Sequence, residues 1–189
     1  MKTSSRRSLK EKVGLIAANS LAWLTIHMGI AFLVTRLPVT LFKPDAWLFH
    51  TRPWEKNGEL YDTMFKVARW KGALPDGATW FIGGFAKARL KVANPSYLAR
   101  FISETCRGES VHWLVIAVTP IFLLWNSFSS FSIMIVYALA SNMPCIIAQR
   151  YNRPRLSRLL SRVQNHAGRD SSSFDDNQRS PNDTEHMGE

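Results

Sequence analysis

Two glutamates and a histidine are spaced so that one helix would bring them to the same side. Glu104, Glu109 and His112 lie three to eight residues apart, and at helical spacing they share one broad arc. Histidine suits proton transfer near neutral pH, and a carboxylate one turn away can fix its tautomer and stabilise the imidazolium. The arrangement is suited to removing a proton from a hydroxyl group.

A second interpretation of the same segment needs no catalysis. The glutamates would pair with Arg100 and Arg107, whereas the histidine would join Trp113 in a belt of rings at a membrane surface. The residues alone leave both interpretations open. His27 and His50 are weaker candidates, for which an anchoring role is preferred.

Other catalytic and metal-binding patterns are not found in the sequence. It contains no Gly-x-Ser-x-Gly nucleophile elbow, and Ile116 stands four residues after His112, where a familiar acyltransferase motif has aspartate. The two cysteines, Cys106 and Cys145, have neither metal-ligand spacing nor the setting of an evident nucleophile. We therefore expect no metal site, and group transfer would be direct rather than through a covalent acyl-enzyme.

The elements that must position these residues follow from two long uncharged runs. The chain has 189 residues and a net charge of +10, yet it contains no Asp, Glu, Lys or Arg between Lys12 and Arg36 or between Glu109 and Arg150. Runs of this length are typical of membrane segments and disfavour a soluble enzyme. Nucleic-acid binding is disfavoured as well, because the basic residues flank the apolar runs and no nucleic-acid-binding motif is found.

The first run predicts a transmembrane helix over residues 13–34, after a basic N-terminal flank over residues 1–12. This helix would be about 33 Å long, which suffices to cross the hydrocarbon core and exceeds the apolar part of a signal peptide. The second run, residues 110–149, is too long for one crossing, and the polar stretch 125–130 predicts a turn. We expect a membrane hairpin over residues 111–148, with legs at 111–125 and 128–148. The short first leg either continues outward into polar residues or belongs to a shallow re-entrant hairpin.

The segments outside the membrane are predicted from their amphipathic patterns. Residues 35–110 would form an interfacial and catalytic region, with an amphipathic helix near residues 60–70. A basic amphipathic helix over residues 149–163 follows the hairpin, and the polar composition of residues 164–189 predicts a disordered tail. The hairpin would place the central and C-terminal regions on one side, and their shared basicity favours the cytoplasmic side. The predicted fold is a mainly α integral membrane protein with an N-terminal transmembrane helix, an interfacial amphipathic region and a C-terminal helical hairpin.

Two polar motifs on either side of the hairpin resemble one known family. The sequences E-T-C-R-G-E-S-V-H-W (residues 104–113) and Q-R-Y-N-R-P-R-L (residues 149–156), with N-M-P (residues 142–144) between them, are similar to those of the glycosyl-4,4'-diaponeurosporenoate acyltransferases. The sequences T-R-L-P (residues 35–38), R-W-K (residues 69–71) and L-P-D-G (residues 74–77) also look like the family. The likeness covers about residues 13–163.

The resemblance implies a multi-pass enzyme of the cell membrane that esterifies a sugar hydroxyl of a glycosylated carotenoid acid with a fatty acyl chain. In this hypothesis His112 deprotonates the hydroxyl, and Glu109 or Glu104 orients the histidine. Arginines would hold an anionic donor or the carboxylate end of the glycosyl acceptor. The predicted substrate-binding residues are Arg107, Trp113, Arg150, Asn152, Arg153 and Arg155.

The implied reaction needs lipid substrates and no cofactor. An acyl-CoA or an acyl carrier protein would be the acyl donor and therefore a substrate. The bilayer would supply the acceptor, and other enzymes of the pigment pathway are candidate partners. Two alternatives stay open, namely acylation of another glycolipid and a non-enzymatic role as a membrane anchor or scaffold.

Overall fold

The described part of the protein is built from helices, and three of its helical segments are long enough to cross a bilayer. The computed structural model describes residues 8–75, 77–80, 82, 84–85 and 94–178, with side chains as far as residue 166. The α-helices are α1 (Leu9–Arg36), α2 (Glu59–Phe65), α3 (Val67–Trp70), α4 (Pro95–Val118) and α5 (Phe128–Gln178). Short 3-10 turns occur at Val39–Leu41, Pro53–Gly58, Lys71–Ala73, Gly77–Trp80 and Thr119–Leu124. Three segments, Leu9–Arg36, Pro95–Leu124 and Phe128–His166, are long and apolar enough to cross a membrane, which confirms the predicted fold class.

The first helix is capped at its start and packs along both legs of the hairpin. Ser8 and Glu11 form a capping box, in which each side chain accepts a hydrogen bond from the other residue's amide. The Trp23 indole donates to the sulfur of Met134 on α5 at 3.2 Å, and the carbonyl of Thr35 accepts from Arg107 on α4. Because Thr35, near the end of α1, meets Arg107, whereas the earlier Trp23 stacks on Phe122 beyond the end of α4, these two helices are antiparallel.

The hairpin turn lies against α1 through a small polar cluster. The side-chain amides of Asn19 and Asn126 donate to each other at 3.0 and 2.9 Å, and the Trp125 indole donates to the Asn19 oxygen at 2.7 Å. These hydrogen bonds satisfy polar groups that would be costly to leave unpaired in an apolar layer. Below the cluster, Trp23 stacks on Phe122 with ring centroids 4.7 Å apart.

The first leg of the hairpin continues outward into polar residues, which was one of the two alternatives. α4 begins at Pro95, and the Asn94 side chain accepts from the amide of Tyr97 at 2.7 Å as an N-cap. The second leg is α5, which continues through Pro144 and Pro154. The polar half of α4 and the basic part of α5 therefore lie at the same end of the bundle as Arg36, the end of α1.

The central region contains two short helices where one was predicted over residues 60–70. Lys66 has a φ of 51° and separates α2 from α3. Asp62 stabilises this break, since its carbonyl accepts from the Lys66 amide and its carboxylate accepts from the Ala68 amide at 3.0 Å. Two large side chains of this region, Trp47 and Met64, remain largely exposed. Exposed apolar groups beside the spans fit the predicted interfacial region.

The last helix is longer than the composition indicates. α5 ends at Gln178, whereas the polar composition predicted a disordered tail from residue 164. No proline follows Pro154 before Pro181, so the helix can propagate by one hydrogen bond per added residue. Residues 179–189 of the predicted tail and residues 1–7 of the basic flank lie outside the described residues.

Candidate active site

A cavity of about 300 Å³ lies between the three spans and the central region. α4 contributes Glu104, Arg107 and His112 to its wall, and α5 contributes a stripe of polar side chains that includes Asn142 and Gln149. α1 contributes His27, Met28 and Thr35, and the central region contributes Leu74 and Trp80. The cavity therefore joins an apolar part of the bundle to its polar end, where the uncharged run begins at Ser110.

His112 is oriented by an asparagine of the second hairpin leg. Its Nδ1 lies 2.8 Å from Oδ1 of Asn142, a residue with only 1% of its surface exposed. The Asn142 NH₂ group donates to the Ala138 carbonyl at 2.9 Å and to the Ser141 hydroxyl at 3.1 Å, so its oxygen is the atom that faces the histidine. Because an amide oxygen only accepts, Nδ1 is the nitrogen that carries the proton when the imidazole is neutral, and the lone pair is then on Nε2. This tautomer is the one a general base needs.

The glutamate predicted to orient His112 from one turn away binds arginines instead. Glu109 is fully buried, and its Oε1 accepts from Arg150 at 2.8 Å while its Oε2 accepts from Arg153 at 2.5 Å. The Trp113 indole also donates to Oε1 at 3.1 Å. Both carboxylate oxygens are thus occupied, and Asn142 is the residue that fixes the tautomer. The position of Asn142 within an apolar run is a signal that could have identified it.

Glu104 pairs with arginines as the non-catalytic interpretation expected. Its carboxylate accepts from Arg107 at 2.7 Å and lies 3.8 Å from Arg100. Arg107 also donates to the carbonyls of Thr35 and Leu37 at 3.3 and 3.4 Å, where it caps the end of α1. Glu104 and Arg107 nevertheless line the cavity with His112, so the structure brings these three predicted residues together.

Arg150 and Arg153 fasten the central region to the hairpin. Arg150 donates to Glu55 at 2.6 Å and to the carbonyls of Leu48 and His50. Arg153 donates to the carbonyl of Phe49 at 2.7 Å and to the hydroxyl of Thr105 at 3.1 Å. These contacts direct both guanidinium groups at protein atoms rather than at the cavity that His112 lines, and the substrate-binding role of the two arginines stays a prediction.

Glu55 completes this network, and sequence reasoning did not identify it. It is 1% exposed and accepts hydrogen bonds from Arg150, the Tyr61 hydroxyl and the Arg52 amide. Burial acts to raise the pKa of Glu55, but these hydrogen bonds and the charge of Arg150 outweigh it and lower the pKa. The carboxylate therefore contributes stability above its unfolded-state pKa, and this contribution is lost as pH falls through the lowered folded-state value. No local pattern links Glu55 to Arg150, which is 95 residues away.

The two remaining predicted residues lie farther along α5. Asn152 accepts from the ammonium group of Lys71 at 2.7 Å, and the Arg155 guanidinium lies 3.6 Å from the centroid of the Tyr151 ring. Gly58 has a φ of 85°, and a Cβ there would lie 3.0 Å from Arg155 Nη1. The glycine therefore permits both the turn and the close approach of α5.

A second cavity, of about 560 Å³, lies on the other side of the α4–α5 pair. Its wall is mostly apolar and includes the aromatic rings of Trp54, Tyr61 and Trp113, with Arg150 among the lining residues. Neighbouring residues on α4 thus face different cavities, since His112 lines the first and Trp113 the second.

Comparison with known proteins gives a family for this arrangement. The sequence profile described as glycosyl-4,4'-diaponeurosporenoate acyltransferase matches residues 45–162. The chain is 33% identical over 154 residues to proteins of that name from Staphylococcus aureus strains N315, USA300 and NCTC 8325, which covers 82% of this chain and 93% of each relative. This chain belongs to the glycosyl-4,4'-diaponeurosporenoate acyltransferase family. No solved structure matches it. Family membership shows an acyltransferase, and the match contains all the predicted site residues.

Asn142 is the first residue to test in this acyltransferase, because it acts through His112. Asn142→Leu removes the acceptor oxygen at nearly constant volume, and we expect kcat to fall about 10- to 100-fold with a small change in KM. Asn142→Asp keeps an acceptor and should retain most of the activity with an altered pH–rate profile. Purified variants should be compared by initial rates and by thermal unfolding in detergent. Equal losses in the two variants would show that the amide serves packing rather than orientation.

Proposed function

We propose that this protein transfers a fatty acyl group from a thioester donor to a sugar hydroxyl of a glycosylated carotenoid acid. The observation that carries the proposal is the His112–Asn142 pair, placed in a cavity at the boundary between apolar and polar parts of the bundle. The family name of the relatives supplies the substrate class. We place the reaction at the cell membrane, in a multi-pass protein that can meet other enzymes of pigment synthesis.

The chemical step uses the lone pair that Asn142 leaves on His112. The sugar hydroxyl oxygen attacks the thioester carbonyl carbon while Nε2 of His112 takes the hydroxyl proton. The new C–O ester bond forms, the C–S bond breaks, and the thiolate leaves with a proton from the imidazolium. The bonds and protons of this step balance without an oxidant, a metal or a covalent enzyme intermediate.

The walls of the cavity suit two lipid substrates with polar ends. Met28 and Ala31 of α1 line the apolar part of the cavity, where an acyl chain would enter from the bilayer. Glu104, Arg107 and Gln149 line the polar part, and their charged and amide groups can exchange hydrogen bonds with a sugar. The substrates would thus meet at His112 without either leaving the interface.

The donor would be an acyl-CoA or an acyl carrier protein, consumed as a substrate. A thioester already carries an activated acyl group, so the transfer needs no further cofactor. Arg107 is the predicted substrate-binding arginine that lines this cavity. Because it is ion-paired with Glu104, the two side chains together carry no net charge. A separate group must therefore recognise an anionic donor.

The test of this proposal is the mass of the product. The chain should be expressed in a host that accumulates the unacylated glycosyl carotenoid, and lipid extracts should be compared with those of the host without it. We expect an ester whose mass exceeds the acceptor by one fatty acyl group. If the acyl group is found only on another glycolipid, that glycolipid, and not the carotenoid, is the acceptor. Absence of any new ester, with the protein in the membrane, would contradict the proposed reaction.

A further inference from the structure

Two cations surround one aromatic ring at the polar end of α5. Lys71 Nζ lies 4.8 Å from the centroid of Tyr151, and the Arg155 guanidinium carbon lies 3.6 Å from it. Lys71 also donates to Asn152 at 2.7 Å, and Arg155 donates to the carbonyl of Tyr151 at 3.1 Å. Tyr151 is 5% exposed, whereas Lys71, Asn152 and Arg155 are partly exposed, so the ring forms the floor of an accessible site.

These two cations lack the ion pairs that their neighbours have. Arg150 and Arg153 both contact Glu109, but in the described part of the chain no carboxylate oxygen lies within 4.0 Å of Lys71 or Arg155. Burial and then the charge of Arg155 lower the pKa of Lys71, against an opposite effect of Asp62. An anion bound to both cations would offset this repulsion and form charge-assisted hydrogen bonds.

The site lies farther along α5 from the cavity that His112 lines. Cys145 and Gln149 belong to the cavity wall, and Asn152 follows Gln149 by three residues, on the same side of α5. On the central region, Leu74 lines the cavity three residues after Lys71. Along the axis of α5, Asn152 is about 15 Å from Asn142, the partner of His112.

We propose that Lys71, Asn152 and Arg155 bind a phosphate group of the acyl donor. The proposal rests on the proposed acyl transfer and names the donor class as a phosphopantetheine thioester, the group that acyl-CoA and acyl carrier protein share. With the phosphate at Lys71, the pantetheine arm extends along α5 and brings the thioester to His112. Arg155 supplies a planar set of donors and Asn152 holds the Lys71 ammonium group in place.

The experiment compares two donors that differ in phosphate. The protein is reconstituted in nanodiscs, and initial rates are measured with a palmitoyl-CoA donor and with palmitoyl-pantetheine, which has no phosphate. For Lys71→Gln we expect KM for palmitoyl-CoA to rise about 10-fold or more with kcat within about twofold, since a charge-assisted hydrogen bond is lost. KM for palmitoyl-pantetheine should stay unchanged. Arg155→Gln should act in the same direction, and Lys71→Arg should restore most of the affinity.

The matched control is Arg162→Gln, which removes an exposed cation from the same helix and should leave both KM values unchanged. Equal effects of Lys71→Gln on the two donors, or none on either, would overturn the assignment.

A lipid headgroup is the other source of phosphate, and a second measurement separates it from the donor. Binding of free CoA to the nanodisc protein is followed by calorimetry, with and without phosphatidylglycerol in the bilayer. The proposal expects CoA binding that Lys71→Gln weakens about 10-fold or more in both bilayers. A Lys71-dependent effect of phosphatidylglycerol on activity, without any effect on CoA binding, would assign the site to lipid and overturn the proposal. Because CoA binding needs no turnover, failure of the proposed reaction remains distinguishable from failure of this site.

Discussion

Replacing His112 by alanine should lower the rate of acyl transfer by about 10²- to 10⁴-fold while the protein remains folded in the membrane. The reason is that general base catalysis contributes about this much, and the substitution removes the only atom to which the proposed step transfers the hydroxyl proton. His112 is partly exposed and lies on the wall of a cavity, so its loss enlarges a space that already exists. The measurement is kcat/KM with purified protein, together with abundance in membranes and the temperature of unfolding.

Two further histidines make this prediction specific. His50→Ala is the matched control, because its exposed side chain is removed while its carbonyl still accepts from Arg150. It should leave the rate unchanged within about twofold. His27 also lines the cavity, and its Nδ1 lies 3.1 Å from the Trp23 carbonyl. If His27→Ala abolishes transfer and His112→Ala does not, the base is His27 and the proposed role of His112 is wrong.

The helices could be predicted because uncharged length and capping are local properties. The predicted span, residues 13–34, lies within α1, which begins earlier because Ser8 and Glu11 cap it, and the start of α4 follows from Asn94 and Pro95. The break at Lys66 was not predicted, since hydrophobic spacing is the same for one helix or two. What stabilises it is a pair of hydrogen bonds that Asp62 accepts from the amides of Lys66 and Ala68, and the presence of an aspartate in a sequence does not by itself predict such bonds.

The sequence identified several residues of the candidate site, but it did not predict which residues contact one another. Helical spacing placed Glu104, Glu109 and His112 on one side of α4. Of these, Glu104 and His112 line one cavity, together with Arg107, whereas Glu109 does not line it. Asn142 and Glu55 were not assigned roles, because their partners depend on the depth and rotation at which α4, α5 and the central region pack. A sequence pattern reports which side of its own helix a residue lies on, but not which residue of another helix faces it.

Arg150 and Arg153 show how unpredicted contacts between helices change the functional interpretation of a sequence pattern. A run of arginines without acids near it in sequence predicts a site for an anionic ligand, yet the acids that neutralise Arg150 and Arg153 come from α4 and the central region. Two carboxylates and two guanidinium groups balance in charge, so the network holds the fold together at the polar end of the bundle. Around Tyr151, by contrast, Lys71 and Arg155 have no carboxylate within 4.0 Å in the described chain, and these two cations remain for a ligand.

Removal of the Glu109 carboxylate is expected to unfold the protein rather than merely slow it. Glu109→Leu leaves Arg153, which is 3% exposed, without its carboxylate, and breaking one partner of a buried ion pair costs about 3–5 kcal/mol. That is a large part of the stability of an ordinary domain. We expect low abundance in membranes and a markedly lower temperature of unfolding. His112→Ala, in contrast, should change only the rate.

A double variant separates a structural role of Glu109 from a catalytic one. Glu109→Leu combined with Arg153→Met removes both charges of the closest pair and should recover part of the lost stability, because a well-packed apolar pair can replace a buried ion pair. Arg150 keeps Glu55 as its counter-ion in this variant, so no guanidinium is left without a carboxylate. If the recovered protein is also active, Glu109 does not take part in the chemistry. If the Glu109→Leu protein instead has normal abundance but no acyl transfer activity, Glu109 has the catalytic role that helical spacing predicted.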